Sequence, residues 1–166
     1  LPGMKCPWAE DLADAKRVAV KLGIPFKVYD FQKEYKQKVV DYMTREYVAG
    51  RTPNPDIMCN QEIKFQLFLE TALADGADMI ATGHYAQIDE MSKTFSREYP
   101  ASHRHHSKKL HSLRRSPDSS KDQSYFLYTL NQKQLSKILF PVGHLKKTEV
   151  RSLAKKFKLP VAEKKD

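Results

Sequence analysis

The spacing of apolar residues along the chain predicts helices alternating with short strands. Apolar positions three and four residues apart predict a first amphipathic helix that ends at Gly23. Its apolar face is formed by Trp8, Leu12, Ala15, Ala19 and Leu22. The apolar run at residues 24–29 predicts a strand, with Pro25 near its start, where a missing amide donor is tolerated. Helical spacing returns over residues 35–49, and Gly50 closes that helix.

The same pattern continues through the middle of the chain. A third helix is predicted to begin at Asn60, and Asp75 with Gly76 ends it. Its apolar face is formed by Phe65, Phe68, Leu69 and Ala72. Residues 78–82 form the short apolar run that is typical of a buried parallel strand. Helices and strands in this order predict an α/β fold with a parallel sheet.

The last part of the chain is predicted to be a small, mostly helical region. Asn131 and Gln134 are spaced as an N-terminal capping pair for a helix over residues 132–139, and the run 125–128 before it is strand-like or buried. Thr148 is a candidate cap for a last helix. The apolar face of that helix would be formed by Val150, Leu153, Ala154 and Phe157.

Residues 90–120 differ from the rest of the chain in composition, being rich in Ser, His, Lys and Arg and poor in apolar side chains. Such a segment predicts a long flexible loop. Its histidines are His103, His105, His106 and His111. They lack the regular spacing of metal ligands, no cysteine accompanies them, and their basic neighbours would repel a cation, so we reject a metal site. A phosphate-contacting arm and a solvated disordered loop are the remaining alternatives.

Residues 50–60, Gly-Arg-Thr-Pro-Asn-Pro-Asp-Ile-Met-Cys-Asn, carry the most distinctive chemistry. The two prolines fix φ, so we expect a stiff loop that carries the carboxylate of Asp56 and the thiol of Cys59. We expect the next helix to begin with Asn60 as its N-cap residue. Cys59 would then lie at the positive end of a helix dipole, where a thiolate is favoured. A nucleophilic cysteine and an inert, half-buried cysteine are both compatible with this pattern.

Two further stretches place polar side chains where a ligand could bind. Gly83 and His84 follow the predicted strand at residues 78–82, at the end of the strand where parallel sheets bind ligands. Gly83 would let a ligand approach the backbone closely, and His84 could contact a phosphate or a base, or be a satisfied turn histidine. The triplet Lys-Asp-Gln at residues 121–123 could hold a phosphate and contact a base edge, or form an ordinary surface turn.

The composition limits the classes of protein to which the chain can belong. A chain of 166 residues with 40% hydrophobic and 30% charged residues is typical of one globular domain. No apolar run approaches the ~20 residues of a membrane span. The net charge of +9 favours a polyanionic partner such as nucleic acid, with a solvated basic surface as the alternative. Cys6 and Cys59 are too few for a disulfide framework and fit a reducing compartment.

Several of these motifs occur together, in the same order, in one known family. Through residues 50–65, 76–78, 81–85, 121–127, 139–143 and 162–166, the chain resembles the tRNA-specific 2-thiouridylases of the MnmA type. The resemblance covers most of the chain except about residues 90–116. It implies an incomplete PP-loop ATPase domain, Rossmann-like and related to the adenine-nucleotide alpha-hydrolases. The implied division is a nucleotide-binding part at 1–89, a basic flexible insertion at 90–120 and the start of a helical tRNA-binding region at 121–166.

The resemblance also implies roles for individual residues. In that family ATP adenylates the C2 oxygen of the wobble uridine, and a persulfide sulfur then displaces AMP. Asn54, Pro55 and Asp56 would face the target base, with Asp56 in acid–base chemistry. Cys59 would be the nucleophile that releases sulfur from the persulfide, and Gly83 would lie at the ATP site. The residues implied to contact tRNA are His84, Lys121, Asp122 and Gln123.

The implied cofactor is ATP, with Mg²⁺ as its counter-ion. The implied partners are tRNAs with anticodons of the Lys, Glu and Gln type and a persulfide-carrying sulfur donor protein. The compartment would be the cytoplasm, with the mitochondrial matrix as the alternative.

Two departures from the family pattern lead to further expectations. The Gly-rich, Ser-containing phosphate loop and the second cysteine of the family are absent, and Cys6 does not match the position of the latter. We therefore expect this chain to be a piece of a longer enzyme and to be inactive alone. A non-catalytic RNA-binding protein on the same scaffold is the alternative. The loop at residues 50–60 and the triplet at 121–123 argue against a third possibility, an adenylating enzyme that acts on a small molecule.

Overall fold

The computed structural model of the chain describes residues 8–92 and 109–164. Within these residues, one compact unit contains the chain up to Asp30 and from Lys147 onward, and a second contains Phe31–Lys146. The predictions for Cys6, for the histidines at 103, 105 and 106, and for the last two residues of the chain lie outside the described residues. No helix in the described ranges has the length and apolar character needed to cross a bilayer.

Helix α1, Trp8–Leu22, forms as its apolar spacing predicts. Gly23 ends it in the left-handed region, with φ of 65°. The strand predicted at residues 24–29 is wrong, because this segment pairs with no strand among the described residues. Ile24 and Val28 are 54% and 53% exposed, so the apolar run lies on the surface of its unit instead of in a sheet.

Helix α2 runs as an α-helical turn at Gln32–Tyr35, a π-helical segment at Lys36–Val40 and an α-helical segment at Asp41–Val48. This confirms the predicted second helix, and Gly50 follows it with a positive φ of 73°. Val39 is 1% exposed and anchors the helix.

Helix α3 begins earlier than predicted. It comprises Pro55–Met58, a π-helical segment Cys59–Phe68, and Leu69–Ala74. Asn54 is the N-cap, and its Oδ1 accepts hydrogen bonds from the backbone amides of Asp56 and Ile57 at 3.0 and 3.3 Å. The prediction that Asn60 caps the helix is wrong, because Asn54 followed by proline at the first helical position supplies a better start.

The strands form two separate pairs. Strand β1, Ile80–Ala81, is parallel to β4, Ile138–Leu139, which confirms the parallel pairing. Strands β2, Ala86–Ser92, and β3, Lys109–Arg115, form an antiparallel pair. The predicted flexible loop over residues 90–120 is therefore wrong for residues 90–92 and 109–115, which lie in strands. Ile88 pairs with Leu113 across the two strands, and both pack against the core, a contact that the basic composition concealed.

Two predictions in the last third of the second unit are also wrong in part. The capping pair is present, since Asn131 and Gln134 form a capping box, but helix α4 covers only Gln132–Leu135. Residues 138–139 pair with β1 instead of continuing the helix. The run 125–128 overlaps a short 3-10 helix, Ser124–Phe126, instead of forming a strand, and only Leu127 in the run is fully buried.

The hydrophobic core lies in the second unit, between α3 and the β1–β4 pair. It is formed by Phe65, Leu69, Ala72, Ile80, Ala86, Leu127, Ile138 and Phe140, with Phe68 partly buried against it. This confirms the predicted apolar face of α3. Gly143 completes the packing, because a Cβ there would overlap the backbone carbonyl of Ala86.

The last helix, α5, Lys147–Lys156, belongs to the first unit. Its existence confirms the prediction, but Thr148 lies inside it and is not its cap. The predicted apolar face is only partly covered, with Phe157 beyond the helix end 58% exposed. Lys164 then donates to the carboxylates of Asp11 and Asp14 on α1, at 2.7 Å each. This ion-paired cluster ties the end of the described chain to α1.

Candidate functional site

The start of α3 carries the two reactive groups identified from sequence. Asp56 lies in its first turn and Cys59 in its second, so they share one rigid helix and not a loop. The backbone amide of Cys59 is already bonded to carbonyls of that first turn. Cys59 is therefore not at the free positive end of the helix, and the prediction that the helix end activates its thiol is wrong.

Burial governs the ionisation of Cys59. The thiol is half-buried, and burial raises its pKa above the ordinary value. The Lys64 ammonium opposes that rise, and the Asp56 carboxylate adds to it. The neutral thiol is consequently the favoured form at pH 7, and the thiolate needs a cation to stabilise it.

Helix α2 supplies a neighbour that sequence reasoning missed. Burial raises the pKa of the Tyr35 phenol, and negative charge on Cys59 and Asp56 raises it further. Tyr35 therefore lies within electrostatic reach of both groups. A second link between the two helices joins their π-helical segments, because Lys38 Nζ lies 2.6 Å from Glu62 Oε2. No pattern in the sequence predicts π-helical register, so neither contact was predictable from spacing.

Lys64 is a second functional candidate that sequence reasoning missed. Its exposed side chain has no ion pair in the described part of the chain. Its positive charge lowers the pKa of both Cys59 and His84, so the ammonium lies within electrostatic reach of both. A surface lysine in a charged chain gives no signal of this kind before the fold is known.

His84 lies in a different environment from a phosphate-binding histidine. It is 9% exposed, and its ring packs against those of Phe65 and Phe140, with centroids at 5.5 and 5.8 Å. Its Nδ1 is 2.8 Å from Thr82 Oγ1. Burial, with a smaller contribution from Lys64, lowers its pKa to about 4. His84 is therefore neutral at pH 7, as expected for a satisfied turn histidine.

The fold brings the Gly83–Tyr85 turn beside the Lys-Asp-Gln triplet, as the two separate motifs alone did not predict. Gln123 Oε1 accepts a hydrogen bond from the backbone amide of Tyr85 at 3.0 Å, and the backbone amide of Gln123 donates to the Tyr85 carbonyl at 2.9 Å. Gln123 thus fixes the position of the turn that carries His84.

Asp122 also has a structural role. Its carboxylate accepts hydrogen bonds from the Ser116 amide at 3.0 Å, from Arg115 Nε at 3.1 Å and from Ser124 Oγ at 3.0 Å. Burial on its own would raise the pKa of Asp122, but these hydrogen bonds together outweigh it and lower the pKa. Asp122 is thus a charged staple between β3 and the following turn, while Lys121 beside it is exposed.

Gly83 lies two residues beyond β1, and the position where a Cβ would stand is open to 4 Å. That open approach at the carboxyl end of a parallel strand fits a nucleotide ligand. Within residues 8–92 and 109–164, no three His, Cys, Asp or Glu side chains are grouped to hold a metal ion.

Comparison with known proteins agrees with these motifs. The profile of the tRNA methyl transferase HUP domain matches residues 2–166. A protein of Flavobacterium johnsoniae named tRNA-specific 2-thiouridylase MnmA is 52% identical over 162 residues, which is 98% of this chain and 38% of that relative. Proteins with the same name from Christiangramia forsetii and Methylobacillus flagellatus are 49% and 51% identical, with 38% and 40% of their lengths covered.

The chain thus spans about two fifths of the length of the relatives it matches. The match extends over nearly all of this chain, including the candidate site, and it confirms both the predicted family resemblance and the α/β, Rossmann-like fold class. The chain belongs to the tRNA methyl transferase HUP domain family, whose fold is that of the PP-loop ATPases.

Proposed function

We propose that this chain forms the HUP-domain part of a tRNA 2-thiouridylase, a sulfurtransferase that converts the wobble uridine of tRNA to 2-thiouridine. The observation that carries the proposal is the position of Asp56 and Cys59 on adjacent turns of one capped helix. That helix lies in a chain about half identical to relatives named tRNA-specific 2-thiouridylases. A carboxylate and a thiol held this way can serve one reacting base.

Cys59 is the proposed nucleophile. Its thiolate attacks the inner sulfur of a persulfide on a second cysteine, which forms a disulfide with that cysteine and releases hydrosulfide. The hydrosulfide displaces the activated oxygen at C2 of the uridine, leaving a C2–S double bond. Asn54, Pro55 and Asp56 at the start of α3 would face this base, with Asp56 moving a proton there.

ATP, with Mg²⁺ as its counter-ion, would supply the adenylyl group that turns the C2 oxygen into a leaving group. Gly83 would lie against the nucleotide, since the space beyond its Cα is open. Because Gly83 precedes His84, the nucleotide and the Phe65–His84–Phe140 cluster would be neighbours.

The proposed tRNA-facing surface includes His84, Lys121, Asp122 and Gln123. Lys121 is the phosphate contact in this proposal, because it is exposed and cationic. Asp122 and Gln123 shape the surface, since their side-chain oxygens already accept hydrogen bonds from the protein. His84 would act as a neutral ring.

The wider assignment follows the family. We propose that the substrates are tRNAs of the Lys, Glu and Gln type, that a persulfide-carrying protein donates the sulfur, and that the reaction occurs in the cytoplasm, with the mitochondrial matrix as the alternative. Residues 1–89 would serve nucleotide binding, 90–120 would be a basic insertion, and 121–166 would begin the tRNA-binding region.

A chimeric enzyme tests the reaction. This chain replaces the matching segment of the Flavobacterium johnsoniae relative, and 2-thiouridine is measured by mass spectrometry of nucleosides from treated tRNA. We expect the chimera to thiolate tRNA and Cys59→Ser to abolish thiolation, because serine lacks the sulfur that attacks the persulfide. Binding of tRNA by the Cys59→Ser variant should stay within about twofold, since the hydroxyl keeps the shape of the site.

The matched control is Cys6→Ser, which changes the other of the chain's 2 cysteines and should retain activity. Thiolation that survives Cys59→Ser would exclude Cys59 as the nucleophile. A folded chimera that binds tRNA in a salt-sensitive manner but never thiolates it would favour the RNA-binding alternative.

A further inference from the structure

The π-helical segment Cys59–Phe68 changes which side chains share a face of α3. In an α-helix of ~3.6 residues per turn, five residues advance about 500°, which leaves positions five apart about 140° out of alignment. In a π-helix the hydrogen bonds join residues five apart, so such residues lie on the same side of the helix, as residues four apart do in an α-helix. Cys59 and Lys64 are five apart and both lie in this segment. The π-helical register therefore brings the lysine round to the side of the cysteine.

The ionisable groups around Cys59 differ in the sign of their charge and in whether that charge is paired. Asp56, on the same helix, is negative, and Tyr35 presents a phenol from α2. Lys38 on α2 is paired with Glu62, with Nζ 2.6 Å from the carboxylate. Lys64 has no carboxylate partner among the described residues, and its charge also reaches His84. Among the described residues, Lys64 is thus a cation within electrostatic reach of the thiol that no carboxylate neutralises.

We propose that Lys64 is a positioning residue for the sulfur-transfer step, whose ammonium, carried to the side of Cys59 by the π-helical register of α3, stabilises the Cys59 thiolate. The inference rests on the proposed function for its role in thiolation, but the effect on the thiol is a property of this chain alone. Lys64 touches neither base nor sulfur donor in this proposal. It acts through Cys59, by opposing the burial and the Asp56 charge that favour the neutral thiol.

The test is the pH dependence of Cys59 alkylation by iodoacetamide, in the full chain with Cys6→Ser so that one thiol reports. Alkylation joins the thiolate sulfur to the acetamide carbon and releases iodide, so its rate follows the thiolate fraction. Lys64→Gln should move the midpoint of the profile upward by about half a unit, which lowers the rate below the midpoint about threefold. Lys64→Arg keeps the charge and should restore the profile to within about 0.2 units.

The matched control is Lys133→Gln, which removes an exposed lysine from α4 and should leave the profile unchanged. The unmutated chain provides a second measurement that needs no variant at the site. Added KCl should raise the midpoint, because salt screens the exposed ammonium, and Lys64→Gln should remove that rise. A profile of Lys64→Gln that coincides with the Lys133→Gln profile at low salt overturns the proposal.

Thiolation by the chimeric enzyme separates this inference from the proposed function. Loss of activity in Lys64→Gln with recovery at higher pH and in Lys64→Arg supports both. An unchanged alkylation profile with intact Cys59-dependent thiolation overturns the role of Lys64 and leaves the function standing. If Lys64→Gln shifts the alkylation profile but Cys59→Ser does not reduce thiolation by the chimera, the proposed function is overturned and the electrostatic effect of Lys64 stands.

Discussion

At the scale of single residues, burial decides the chemistry of both candidate side chains. The sequence predicts a lowered pKa for Cys59 at a helix end, but Cys59 lies one turn inside α3 and burial raises its pKa instead. The sequence is compatible with His84 as a ligand contact or as a satisfied turn residue, and burial against two phenylalanine rings makes it neutral at pH 7. The local sequence contains these residues but not their solvent exposure.

The buried His84 predicts an acid-sensitive fold. Its pKa falls from 6.5 to about 4 on folding, so the unfolded chain binds the proton more readily. The stability that His84 contributes is therefore fully present above pH 6.5 and is lost as the pH falls toward 4. Thermal unfolding measured across this window should show a falling Tm, and His84→Gln should flatten that slope. An equal slope in the variant would assign the acid sensitivity to other groups.

Two glycines predict opposite responses to alanine. Gly143→Ala places a Cβ against the Ala86 carbonyl, and neither atom can rotate away because both are fixed by the backbone. The overlap should lower the free energy of unfolding by about 3 kcal/mol or more. Gly83→Ala is the control, since its Cβ meets open space and should change stability by less than about 0.5 kcal/mol. Urea unfolding measures both, and similar losses in the two variants would contradict the packing argument.

At the scale of elements, the start of α3 and its hydrogen-bond register determine the positions of the site residues. The Asn-Pro-Asp sequence starts α3 with Asn54 as its cap, six residues before the predicted cap Asn60, which puts Asp56 and Cys59 on a rigid helix. Asn60, the predicted cap, is 3% exposed in the second turn, and its Oδ1 has no hydrogen-bond partner among the described residues. The π-helical register then places Lys64 near Cys59, which an α-helical reading of the same sequence would separate.

The cap predicts a measurable cost. Asn54→Ala removes the acceptor for the amides of Asp56 and Ile57 and should reduce the free energy of unfolding by about 1 kcal/mol. Asn54→Asp retains an acceptor and should stay close to the parent chain. Asn60→Ala tests the rejected cap position, because it removes no capping bond. A larger amide-exchange change near Cys59 in Asn60→Ala than in Asn54→Ala would contradict the observed helix start.

At the scale of the whole molecule, the net charge of +9 predicts salt-dependent binding to RNA. Lys121→Gln should weaken tRNA binding and reduce the magnitude of the slope of log affinity against log salt by about one. Lys36→Gln is a matched control, because it removes the same charge from an exposed lysine on α2, outside the proposed tRNA-facing surface. Filter binding over a salt series measures both slopes, and equal slopes in the two variants would remove Lys121 from the RNA contact.

The positions of the motifs and most helices followed from the sequence alone. The apolar spacing of Phe65, Leu69 and Ala72 fixed the core face of α3, because a helix can bury only one side. The Asn131–Gln134 pair was readable as a capping box, because its bonds are local. The α/β class and the family resemblance rested likewise on short-range patterns. Local signals of this kind survive in the fold because they depend on neighbours three or four residues away.

Tertiary structure alone decided where strands pair and how the site is charged. Residues 24–29 look like a strand but lack a partner in the described chain, while residues 109–115 look like a loop and pair with β2. Residues 138–139 leave the predicted helix because β1 takes their backbone hydrogen bonds. Strand pairing, burial of a thiol and the reach of Lys64 all depend on residues distant in sequence or on π-helical register. The free energy of these long-range contacts outweighs the intrinsic conformational preference of each segment. The pattern within one segment therefore cannot predict them.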